Sequence, residues 1–95
     1  MPTYITLLRY TQQGIEKIKE SPSRLEKVKA AIKAAGGEMK AFYLTMGAYD
    51  AVAISEAPSN EAYARTMLAI ATAGAVRTET LCAFPEDEYR KIVSG

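Results

Sequence analysis

A chain of 95 residues is long enough for one domain with one core, expected to span residues 1–95, and too short for two cores. Twelve Lys and Arg against eleven Asp and Glu leave a net charge of +1, which produces no long-range field for nucleic acid or for an anionic membrane surface. Histidine is absent and Cys82 is the lone cysteine, so Ser-His-Asp catalysis, histidine-ligated haem or zinc and an internal disulfide are excluded, and no metal or cofactor is expected.

Thr3 to Tyr10 alternates as Tyr4, Thr6, Leu8, Tyr10 against Ile5, Leu7, Arg9, which predicts a strand with both faces at least partly covered. Thr11-Gln12-Gln13-Gly14 breaks that pattern, and Ile15 with Ile18 at i, i+3 predicts a short helical turn. Ser21-Pro22 restarts the chain, with Ser21 suited to cap a helix and Pro22 to open it. In that helix Leu25, Val28, Ile32 and Ala35 form one stripe, Arg24, Lys27, Lys29 and Lys33 turn largely away, and Gly36-Gly37 is the stop.

Glu38 to Met46 reads as a second strand and Tyr49 to Glu56 as a third, joined at Gly47, where a positive φ would reverse the chain. Ser59 or Asn60 caps a helix carrying Tyr63, Met67 and Ile70, closed by Ala73-Gly74. Ala75 to Phe84 is a fourth strand, and Pro85-Glu86-Asp87-Glu88 opens a short last helix whose acidic first turn suits the helix dipole. The apolar runs are only a few residues long and the N-terminus lacks a basic region, so the expectation is a cytoplasmic protein with neither a membrane nor a nucleic-acid partner.

The order β, α, β, β, α, β is that of a ferredoxin-like α+β domain, an antiparallel four-stranded sheet with helices on one face. Both sheet faces carry large side chains. With Ile5, Leu7, Phe42, Leu44, Val52, Ile54 and Leu81 assigned to the helix side, Tyr4, Leu8, Tyr10, Tyr43, Tyr49, Val76 and Cys82 remain on the other. Burying a large apolar side chain is worth about 1.5 to 3 kcal/mol, so a face of that kind calls for a second copy: a homodimer or higher homo-oligomer packed sheet to sheet.

Five residues are candidates for chemistry or binding. Asp50 shares the parity of Val52 and Ile54, which places its carboxylate at the mouth of a helix-sheet cleft as a candidate catalytic base; the competing role is to accept hydrogen bonds from nearby backbone N–H groups. Gly47 offers either a turn or a close backbone approach to a ligand, and Tyr49 falls on the opposite parity, facing the seam. Arg9 and Arg77, near strand ends, are candidates to pair with Asp50 or to bind an anionic group.

The opening Pro2-Thr3-Tyr4-Ile5, the Thr11-x-x-Gly14-Ile15 turn, Lys19-x-Ser21-Pro22-x-Arg24, the Gly47-x-Tyr49-Asp50 hairpin, Val76-Arg77-Thr78-x-Thr80-Leu81 and the closing Phe84 occur together at a spacing that resembles the GYD-domain family of small bacterial and archaeal proteins. That resemblance implies a dimeric α+β barrel, similar in shape to cofactor-free monooxygenases, lactone isomerases and the effector-binding domains of leucine-responsive regulators, and it implies no particular activity. The expected function is a homodimer whose helix-sheet cleft binds or senses a small-molecule ligand. The alternatives are a cofactor-free oxygenase or isomerase using Asp50 or a tyrosine for proton transfer, and a purely structural assembly module.

Overall fold

The computed structural model describes residues 1–95. Its elements are β1 (Thr3–Tyr10), α1 (Gln12–Glu16) with a 3-10 turn at Ile18–Glu20, α2 (Ser21–Ala34), β2 (Glu38–Leu44), β3 (Ala51–Glu56), α3 (Asn60–Thr72), β4 (Val76–Ala83) and α4 (Glu86–Ser94). The four strands form one antiparallel sheet in the order β2-β3-β1-β4. Helices α2 and α3 cover one face and α4 leaves the end of β4, so the ferredoxin-like α+β reading holds. No helix is long and apolar enough to cross a membrane.

The helices cover the sheet face opposite to the one expected. Tyr4, Thr6, Ala51, Ala53 and Ser55 are buried beneath them, whereas Ile5, Leu7, Val52 and Ile54 are only half-buried and Leu81 is exposed on the open face. The reason is steric. The small side chains Ala51, Ala53, Ser55 and Ala57 let the helices approach the sheet, and Ile32 from α2 and Tyr63 from α3 fill the remaining space around Tyr4 and Ala57. Branched side chains on the other parity would hold the helices away. Phe42 does lie on the helix side, together with Met39, although strict alternation would separate residues three apart. A register shift between Met39 and Ala41, paired with Ser55 and Ile54 respectively, inserts Lys40 as a bulge and brings Met39 and Phe42 to one side.

Local chemistry explains most boundaries. Ser59 accepts a hydrogen bond from Ala62 N–H at 3.1 Å and caps α3, as its position predicts. Ser21, by contrast, lies inside α2 and caps nothing: Glu20 is the N-cap and makes no side-chain bond, because the preceding 3-10 turn runs straight into the helix. The Thr11–Gly14 turn is pinned to the start of β4. Thr11 donates its backbone N–H to Ala75 O at 3.1 Å, and its hydroxyl accepts from Gly14 N–H at 3.1 Å while donating to Gly74 O. At Gly14 a Cβ would come within 2.1 Å of Ala75 O, so only glycine permits this contact between two backbones.

Candidate functional site

A cleft of about 370 Å³ lies between α2, α3 and the sheet. Thr6, Leu8 and Tyr10 from β1, with Val76 and Thr78 from β4, make its floor; Leu25, Val28 and Ile32 of α2 and Tyr63, Met67 and Ile70 of α3 make its walls. Sixteen of the 21 lining residues are hydrophobic and none is a carboxylate or a cysteine, so the cleft suits an apolar body better than a charged one.

Tyr63, in its wall, belongs to a stacked aromatic pair. The rings of Tyr4 and Tyr63 stack with centroids 4.3 Å apart and an interplanar angle of 3°. The Tyr63 hydroxyl and Thr6 Oγ1 are 2.6 Å apart, Thr6 Oγ1 lies 3.3 Å from Thr80 Oγ1, and the Tyr4 hydroxyl donates to Asn60 Oδ1 at 2.6 Å. Burial pushes the Tyr4 phenol above its ordinary pKa, and the potentials of Cys82, Glu61 and Tyr63 push in the same direction. Tyr4 therefore stays neutral at physiological pH. Toward the mouth, the Arg24 guanidinium is committed to backbone, donating to Lys17 O at 3.0 Å and Gly14 O at 3.3 Å. The hydroxyls of Tyr10 and Thr78 have no protein partner and are the polar groups free to meet a ligand on the floor.

None of the five residues singled out in the sequence lines this cleft. The structure gathers four of them at the β2–β3 hairpin, where they tie it to β1 and β4. Gly47 has φ of +130° with no atom within 4 Å of where a Cβ would stand, so the conformation of the turn, and no close approach, accounts for glycine there. Across the loop Thr45 N–H donates to Asp50 O at 2.9 Å and the Thr45 hydroxyl to Tyr49 O at 2.6 Å. Asp50 N–H donates to Leu8 O at 2.8 Å, and the Asp50 carboxylate accepts the Tyr10 N–H at 2.9 Å. β3 begins at Ala51, so Tyr10 N–H would find no strand partner on that side. The Asp50 side chain extends the ladder by one rung beyond the strand.

Arg9 donates its Nε–H to Ala48 O at 2.8 Å, and its guanidinium carbon sits 4.5 Å from the centroid of the Tyr49 ring. The Tyr49 hydroxyl in turn donates to Glu79 at 3.0 Å. Arg77 lies directly across from Arg9 in the β1–β4 ladder and is exposed. The cleft residues Tyr10 and Thr78 escaped sequence reasoning because their parity was assigned to the other face, whereas Tyr63 was placed on the apolar side of its helix. The signal that would have found them is the run of small residues Ala51, Ala53, Ser55 and Ala57 on one parity, which marks the side a helix can approach.

Comparison with known proteins agrees with this architecture. A protein of Thermus thermophilus named "Glutamine synthetase and cystathionine beta-lyase binding protein" is 37% identical over 86 residues, 90% of each chain. Among solved structures, a feast or famine regulatory protein from M. tuberculosis complexed with L-methionine superposes with a TM-score of 0.68 at 18% identity; the alignment covers 90% of this chain and only about half, 51%, of the regulator. A crystal structure of a Thermus thermophilus protein gives a TM-score of 0.57 at 26% identity, covering 90% of this chain and 95% of its own. Residues 4–93 match the GYD domain, and the chain belongs to that family.

Proposed function

We propose that the protein is a homodimeric small-ligand-binding or sensing module, with two copies packed through the open sheet face and an apolar ligand held in each helix-sheet cleft. The cleft carries this reading: 370 Å³ of mostly apolar space, with Tyr63 in its wall and the Tyr10 and Thr78 hydroxyls on its floor. That volume suits a compact metabolite. The open face supports the dimer, since Ile5, Leu7, Val52 and Ile54 are incompletely covered and Tyr43 and Leu81 are 58% and 48% exposed. In this reading Asp50, Gly47, Tyr49 and Arg9 hold the hairpin in place and touch no ligand. A proton-transfer role for Asp50 would require its carboxylate to leave Tyr10 N–H.

An uncharged apolar fluorescent probe such as Nile red tests the cleft. It should bind saturably to the native protein and lose at least ~10-fold in affinity when Ala31→Phe or Ala69→Phe fills the space. Unchanged probe binding in both variants, with native circular dichroism, would contradict the cleft as the binding site.

The name of the 37% identical relative favours a second reading, in which this chain also docks on other proteins. Purified glutamine synthetase from the same organism provides the test, with saturable binding in its favour and no binding at micromolar concentrations against it.

A further inference from the structure

Helix α4 is the part of the molecule that the chain itself leaves unpartnered. All nine of its residues are exposed, and Tyr89, Ile92 and Val93, at i, i+3 and i+4, form an apolar stripe with exposures of 56%, 59% and 66%. Phe84, 60% exposed, lies at its root. Glu86, Asp87, Arg90 and Lys91 occupy other sides, with Glu86 paired to Arg90. A nine-residue helix without tertiary support is marginal in water, since isolated helices shorter than about 12 to 15 residues barely hold. The shape of the chain agrees: its radius of gyration is 14.0 Å, against about 12.4 Å for a compact chain of this length, and its longest extent is 49 Å.

We propose that α4 is an arm exchanged between two copies, its Tyr89-Ile92-Val93 stripe lying on the open sheet face of the partner and continuing the interface made there. The proposal rests on the sheet-to-sheet dimer above. Area selects the second copy as the occupant. Four strands spaced about 4.8 Å apart and six to eight residues long at about 3.3 Å per residue present roughly 460 Å² per copy, or about 920 Å² for both, below the roughly 1,200 to 2,000 Å² of a stable interface. A helix of nine residues is about 14 Å long and about 10 Å wide. The sheet beneath each arm is already counted, so two exchanged arms add only their own apolar sides, roughly 280 Å², and bring the total to about 1,200 Å², the lower end of a stable interface. The open face supplies the apolar floor that the stripe requires, and no surface of α4's own chain covers it.

Sedimentation of the full chain against a chain ending at Pro85, together with hydrogen exchange across a dilution series, tests the arm. The shortened chain, and separately Ile92→Glu, should raise the dimer dissociation constant at least ~10-fold, and α4 amides should be protected in the dimer and exchange freely in the monomer. Because Ile92 is exposed in its own chain, Ile92→Glu leaves the monomer folded. A dissociation constant within about twofold of the full chain's, or α4 exchanging equally fast in both states, overturns the arm and leaves the sheet-to-sheet dimer standing; α4 would then be free for a different protein. A full chain that stays monomeric at every concentration overturns both, and Leu81→Lys on the open face should weaken the dimer whether or not the arm exists.

Discussion

Replacing Asp50 by alanine separates a structural aspartate from a catalytic one. The substitution removes the acceptor for Tyr10 N–H, a 2.9 Å charge-assisted bond in partly buried surroundings, while Asp50 N–H keeps its bond to Leu8 O. Bonds to charged groups are worth about 1.5 to 3 kcal/mol, and partial access of water to the stranded N–H reduces the cost toward about 2 kcal/mol. For a domain of this size that corresponds to a fall in Tm of about 8 to 16 °C. Asp50→Asn keeps a neutral oxygen in place and should cost about half as much. Urea unfolding at pH 7 reads both, with the midpoint shifted at unchanged slope. Stability equal to the wild type in Asp50→Ala, accompanied by loss of ligand binding or of a turnover, would refute the reasoning and return the residue to chemistry.

Gly14→Ala should fail to fold or lose more than about 3 kcal/mol, because its Cβ would strike Ala75 O at 2.1 Å, whereas Gly47→Ala meets nothing and should cost only about 1 to 2 kcal/mol of backbone strain; comparative thermal melts check the order. Tyr63→Phe keeps the stack on Tyr4 and loses the 2.6 Å bond to Thr6, an expected loss of about 1 to 2 kcal/mol, and a cycle with Thr6→Val should show coupling of about 1 kcal/mol in urea titrations. The raised pKa of Tyr4 makes its contribution pH-dependent: folding favours the neutral phenol, so that stability is present below the unfolded value of about 10 and is lost as pH rises through the higher folded value. Melts between pH 9 and 11.5 should show the wild type losing more stability than Tyr4→Phe.

The element order was legible because each boundary has a local cause: the alternation of Tyr4 through Tyr10, the Ser59 cap, and the turn at Gly47 with its positive φ. Choosing the helix-covered face was not, because both parities of β1 carry large side chains and hydrophobicity alone ranks Ile5 and Leu7 above Thr6. Packing decides otherwise. Thr6 is buried because Tyr63 satisfies its hydroxyl, a contact between residues 57 apart in sequence. The Lys40 bulge likewise hides from alternation that Met39 and Phe42 share a side. The Gly47-Tyr49-Asp50 signature was visible as a motif, yet its bonds to Leu8, Tyr10 and Glu79 depend on how three strands are juxtaposed, and that juxtaposition is not a property of the motif.

A dimer holding one small molecule in each helix-sheet cleft is tested most directly by native mass spectrometry of the protein purified from its own cell. A mass of about twice the 10.3 kDa chain plus two equal small-molecule increments, lost together in the Ala31→Phe variant, is the predicted result. A monomer, or a dimer of bare chain mass under conditions gentle enough to keep other non-covalent ligands bound, would contradict it.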